Sequence, residues 1–203
     1  QDDSITVMED ALTKTHRDRQ RDATAEIILD AVGRCLEDVE LAELTFTQVA
    51  RMAGLGERTI YRHFPNKEAL LDGWWRAHKA RLGQDAFPDT LAALLDFPVK
   101  AFPAFDEEAE IMRGAVLSPQ GRAMTLSRNE ERQAAIRSAV QAELGPEASA
   151  EMVLTVCASV QLIQSATAWL TMRDYWDLKG DQSGQIARRA IQAIFTAARN
   201  GTL

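Results

Sequence analysis

Apolar positions recur at helical spacing from about Asp18 onward, and the stops between them divide the chain into a series of helices. Ala23, Ile27, Ile28, Ala31 and Cys35 share one face of a first helix, Asp18 to Leu36, whose opposite face is charged. After an acidic link from Glu37 to Glu43, Thr45 and Gln48 have the spacing of a capping box. They open a helix, Phe46 to Ala53, expected to bury Val49, Ala50 and Met52. Gly54 stops it by supplying the left-handed C-terminal position, and Leu55 plugs the turn. A short third helix runs from Glu57 or Arg58 to His63. Phe64-Pro65 ends it, because proline disfavours helical geometry in the residue before it. Asn66 caps a fourth helix, which ends near Gly83 and carries Leu70, Leu71, Trp74, Trp75, His78 and Leu82 as a wide apolar stripe.

Beyond it the pattern coarsens. Pro88, Pro98, Pro103 and Pro119 fall among Phe87, Phe97, Phe102 and Phe105, which predicts short, broken helices whose irregular aromatic packing leaves cavities. Ser127 and Glu130 repeat the capping-box spacing and open a helix to Leu144, ended by Gly145-Pro146. One uncharged helix is predicted from Glu147 to Met172. After a turn at Lys179 to Gly184 comes a last amphipathic helix, with Ile186, Ala190, Ile194 and Ala198 in line and Ile191 and Phe195 beside them.

With 203 residues the chain holds one large domain or a small module joined to a medium one. Abundant Ala, Leu, Glu, Gln and Arg with only 11 Gly and 6 Pro point to an all-α fold. Cys35 and Cys157 lack metal-ligand spacing, as do His16, His63 and His78, and no nucleotide-binding or nucleophile-elbow string occurs. No metal, no cofactor and no catalytic residue is therefore expected. The opening Gln-Asp-Asp-Ser has no basic-then-apolar leader pattern, so the expected location is the cytoplasm. From Met152 to Met172 no residue carries a formal charge, a run about long enough to span a bilayer. Its seven Ser, Thr and Gln side chains favour instead a helix packed centrally or against another subunit.

The net charge of −7 argues at first against nucleic acid. Its distribution argues the other way. Lys14, Arg17, Arg19 and Arg21 stand against Asp18 alone, and Arg51, Arg58, Arg62 and Lys67 against Glu57. A small cationic face on an anionic body fits a DNA reader with a second, non-DNA function. On the third helix Ile60 and Phe64 share the inward face, while Arg58 and Arg62 point the opposite way with Thr59 beside them. Such a surface suits the major groove, where arginine pairs with guanine N7 and O6. Tyr61 and Phe64 also fit a plain helical hairpin core, His63 a structural role, and the Lys14 to Arg21 run either a solvated stretch or a minor-groove arm.

The string Thr45-Phe46-Thr47-Gln48-Val49-Ala50-Arg51-Met52-Ala53-Gly54-Leu55-Gly56, continued by Arg58-Thr59-Ile60-Tyr61-Arg62-His63-Phe64-Pro65-Asn66-Lys67-Glu68-Ala69-Leu70-Leu71, resembles the DNA-binding domain of tetracycline-repressor-type (TetR) bacterial regulators. The resemblance covers about residues 20 to 75. It implies that Thr45 and Thr47 touch phosphate, that Arg58, Thr59, Tyr61, Arg62 and His63 face DNA, and that Lys67 grips the backbone. Gly56-Glu57 departs from the small hydroxyl or other polar residues many members carry there, and leaves base preference at that point open.

The resulting expectation is an N-terminal arm (residues 1–17), a helix-turn-helix domain (18–66) and a ligand-binding and dimerisation domain (67–203). It describes a homodimeric transcriptional regulator, a repressor by family habit, that binds double-stranded operator DNA, has no membrane role and is released by a small hydrophobic or aromatic effector. Trp75, His78, Leu82, Phe102, Phe105, Met112, Met124 and Trp169 are the candidate effector lining, with His78 the only ionisable side chain among them. Two alternatives stand beside it: a DNA-binding protein of the same fold without an inducer, and an all-α enzyme.

Overall fold

A computed structural model describes residues 16–81 and 86–203, and all eleven regular elements among them are α-helices. They are α1 (His16–Leu36), α2 (Phe46–Ala53), α3 (Glu57–His63), α4 (Lys67–Arg81), α5 (Leu91–Glu107) and α6 (Ala109–Leu117). There follow α7 (Pro119–Ser127), α8 (Asn129–Leu144), α9 (Ala150–Ile163), α10 (Ala166–Trp176) and α11 (Gly180–Arg199). Two compact units divide between Trp74 and Trp75, inside α4. Residues 1–15 of the expected arm and Leu82 lie outside the described residues, and positions 16 and 17 belong to α1.

The first unit is built on the buried side chains of Ile28, Val32, Leu36, Val49, Ile60, Leu70, Leu71 and Trp74. The start of α4 belongs to this core through the last three. Its tight fit shows at Gly73, where a Cβ would come within 2.8 Å of the Phe64 ring. Three sequence expectations need correcting here. Ile27 and Met52 are 48% and 40% exposed, and Ala23 is exposed too, because the buried stripe of α1 runs through Ile28, Ala31, Val32, Cys35 and Leu36. The link after α1 is more than an acidic tether: Leu41 and Leu44 are buried, and successive backbone bonds to the Cys35 and Glu40 carbonyls fold it into turns.

The second unit forms around α5 and α11. Pro98 and Pro103 lie inside α5, a continuous helix of 17 residues, so the predicted breakage is confined to the shorter α6 and α7. Gly180 and Gly184 are part of α11, not of a preceding turn. They face α5: a Cβ on Gly184 would meet the Pro98 carbonyl oxygen at 2.6 Å, and one on Gly180 would strike the Phe102 carbonyl. Glycine here serves backbone-to-backbone approach. The core adds Leu94, Ile136, Val140, Val153, Val156, Val160, Ile191 and Phe195, so the inner stripe of α11 is not the Ile186 line.

The predicted uncharged helix is two helices bent by 54°. Ser165 causes the break, since its Oγ caps α10 by accepting from Ala168 N at 3.1 Å and donates to the Leu162 carbonyl at 2.6 Å. Among the described residues no single helix is long and apolar enough to cross a membrane. The second predicted capping box also fails: Ser127 Oγ donates back to Met124 O, and α8 begins after Arg128 without a side-chain cap.

Gly184→Ala tests the α5–α11 contact. Alanine is worth about 1 kcal/mol over glycine inside a helix, whereas over-packing costs about 1–3 kcal/mol and more where rigid backbone is struck. The expected outcome is a lower urea midpoint at unchanged slope.

Candidate nucleic-acid interface and ligand cavity

Local chemistry sets the angle between α2 and α3. Thr45 N and Oγ1 both donate to Gln48 Oε1 at 2.7 Å, and Thr45 Oγ1 accepts from Gln48 N, which completes the predicted capping box. At the other end Gly54 is left-handed, with φ 67° and ψ 29°. Leu55 N donates to the Ala50 carbonyl at 3.0 Å and Gly54 N to Arg51, the paired bonds of a Schellman stop. Gly56 then starts α3, its carbonyl accepting from Thr59 N at 2.8 Å.

On α3 only Ile60 is fully buried. Arg58 and Arg62 are exposed, one turn apart, and Thr59 is half-buried beside them. Tyr61 is 50% exposed, and its ring stacks on Phe46 with centroids 4.3 Å apart and planes 6° from parallel. That stack fixes α3 on the first turn of α2 while leaving the phenol outward. His63 sits half-buried where α1 passes α3. Desolvation first, then the Arg62 and Arg21 charges, hold its imidazole below the ordinary histidine range, towards the neutral form. Arg21, Thr24, Arg62 and His63 line one groove with Asp18 and Gln20, so the start of α1 sets a cation beside Arg62.

Thr47 is exposed on the first turn of α2. Lys67, expected to grip the DNA backbone, donates from Nζ to the Ala42 carbonyl at 2.6 Å, tying α4 to the turn before α2. Burial lowers its pKa. Of its three donors one is committed within the domain.

In the second unit a cavity of about 490 Å³ is lined by Trp75, Phe105 and Met112 from the expected set. The other described members lie elsewhere. Phe102 and Trp169 are wholly buried, the Trp169 Nε1 donating to Asp106 at 2.9 Å, and Met124 is buried outside the lining. His78 contacts Glu108 Oε2 at 2.5 Å and stacks on Trp75, also outside it. The ionisable side chains that do line the cavity are Lys79, Arg132 and Arg137. Nothing in a one-dimensional pattern brings α4 and α8 together, so they escaped the sequence reading. Arg113, by contrast, is taken by Asp174 through two bonds of 2.7 and 3.0 Å.

Residues 28–73 match the family model described as bacterial regulatory proteins, tetR family. Two uncharacterised HTH-type transcriptional regulators of Mycobacterium tuberculosis, one from each of two strains, are each 31% identical to this chain over 67 residues. Those matches cover 33% of this chain and 33% of each relative, so the chain spans about a third of the length of the curated relatives it matches.

Thr45→Ala removes the hydroxyl half of the capping box, leaving the backbone N–H of residue 45 to Gln48, and is expected to lower the stability of the first unit by about 1 kcal/mol. Thermal unfolding followed by circular dichroism checks this; an unchanged midpoint would show that the box is dispensable.

Proposed function

We propose, from the premise that residues 28–73 are a tetR-family helix-turn-helix domain, that this chain is a transcriptional regulator that binds a palindromic operator as a homodimer and answers to a small ligand. The observation that carries the reading is the outward pair Arg58 and Arg62 on a helix anchored by Ile60 and braced by the Tyr61–Phe46 stack. Two such helices about one turn of DNA apart (~34 Å) match successive major grooves. In this reading Thr45, Thr47 and Lys67 lie against phosphate, and Arg58, Thr59, Tyr61, Arg62 and His63 face the bases and their flanks. Arg21 joins them.

The dimer would use the outward faces of α9, α10 and α11. Val153, Val156, Val160 and Phe195 are consumed by the protomer's own core, so the apolar area must come from exposed side chains such as Leu162, Tyr175, Trp176 and Ile186. Ligand response rests on the cavity: Trp75 and Lys79 line it from α4, the helix that begins at Lys67 in the DNA-binding unit. A ligand that holds α4 in one position binds the two states of the regulator unequally, which is what a population shift requires. A solid second core would have favoured the inducer-free alternative, and the cavity weighs against it. Repression, rather than activation, is the simpler mode, because a bound dimer blocks DNA by occupancy.

Selection of random duplexes by the full chain should enrich an inverted repeat, and sedimentation should show twice the 22.5 kDa protomer mass at micromolar concentration. Arg62→Ala should weaken the selected site by about 1–3 kcal/mol and relax one base pair per half-site. An unchanged motif and affinity would remove Arg62 from base reading, and a monomer would remove the palindrome.

A further inference from the structure

The cavity of the second unit has a lining that combines three cations with apolar and neutral polar side chains. Lys79, Arg132 and Arg137 line it, and among its described lining residues there is no aspartate or glutamate. The acids nearby are otherwise occupied: Glu131 is bonded to Arg128 at 2.8 Å, and Glu108 to His78. Among the described residues, Arg132 donates to neutral oxygens, the Thr125 carbonyl at 3.3 Å and Asn129 Oδ1 at 3.5 Å. Its guanidinium and that of Arg128 lie 4.9 and 4.7 Å from the centroid of Phe87, which holds two like charges on one ring. Lys79 Nζ lies 5.4 Å from the centre of the Trp75 ring. Burial, reinforced by the charges of Arg132 and Arg128, pushes that ammonium down to about 8. Separately, Gln164 is 5% exposed, lines the cavity, and its Oε1 has no hydrogen-bond partner.

Resting on the ligand-responsive reading above, we infer that the cavity takes an amphipathic carboxylic acid as its monoanion, with a hydroxyl or N–H on the apolar body. The carboxylate lies between Lys79 and Arg132, where it supplies a counter-charge absent from the described lining residues. Trp75, Phe97, Phe105, Met112 and Ile136 cover the apolar body. The donor on that body satisfies Gln164 Oε1, which otherwise bears the cost of a buried unpaired acceptor. A volume of about 490 Å³ is that of a drug-sized molecule. Small polyanions without an apolar body leave the aromatic walls uncovered, and neutral bodies leave the cations unpaired. This replaces an effector chosen for hydrophobicity alone.

Calorimetric titration of the full chain with matched pairs tests the assignment: naphthoate against naphthamide, hydroxynaphthoate against hydroxynaphthamide, decanoate against decanamide, and citrate as an anion without an apolar body. Each acid should bind at least tenfold tighter than its amide, and citrate more weakly than any of them. Lys79→Met and Arg132→Met should each erase most of the acid preference, Lys79→Arg should keep it, and Gln164→Leu should erase the advantage of hydroxynaphthoate over naphthoate. The comparison of acid with amide needs no variant, so a misfolded mutant does not shield the proposal. Equal binding of acid and amide, binding led by citrate, or no binding by any probe would overturn it. Adding the bound acid to the complex with the selected duplex separates the two readings. If the acid binds with the expected preference but does not change DNA affinity, ligand control of DNA binding fails while the assignment of the cavity holds.

Discussion

Helix α4 has to serve two cores with one stripe of side chains. Leu70, Leu71 and Trp74 are spent on the first unit, whose third helix they back, and Trp75, one residue later, lines the cavity of the second. A helix cannot bend between consecutive residues without a proline, a glycine pair or a bulge, and α4 has only Gly73, held against Phe64. Lys67 also pins the start of α4 to the Ala42 carbonyl.

The packing of α11 on α5 gives the second unit its stiffness. Close backbone approach at Gly180 and Gly184 leaves no side chain to rearrange. Asp106 fastens the same corner by accepting from Gly180 N, Trp169 Nε1 and Arg173 Nη1. Three donors on one carboxylate, two of them charge-assisted or backbone, make that corner rigid. Phe97 and Phe105 carry α5 to the cavity, and Phe105 also packs edge-on against Trp169 at this corner.

The first unit was almost fully legible because its determinants are local. The Thr45–Gln48 box, the Gly54 stop and the Phe64-Pro65 end each lie within a few residues, and the helices they bound fall as read. The errors there concern faces: Ile27 and Met52 looked like core by hydrophobicity, yet a neighbouring stripe was better aligned. In the second unit the same cues misled. Gly180 and Gly184 read as a turn because glycine's use in close helix packing depends on a partner, α5, far away in the chain. Ser165 read as a helix interior because a capping hydroxyl and a solvated one look alike in sequence. Lys79, Arg132 and Arg137 are unremarkable surface-type residues until folding brings α4 and α8 to one cavity.

That cavity owes its shape to the break at Gln164 and Ser165. Gln161, Leu162, Gln164, Ser165, Ala166 and Thr167 all line it, so a straight helix through this point would present a different wall. The break also sets two helix ends side by side, the carbonyl end of α9 and the N–H end of α10. Each end carries about half a charge, of opposite sign, and at one wall they largely offset. Serine capping already uses one N–H of α10. The sign of the site is then decided by three whole cationic charges on α4 and α8, which exceed any residual dipole several-fold. The helix break supplies the space and the unpaired amide oxygen, and the lysine and arginines supply the preference for an anion.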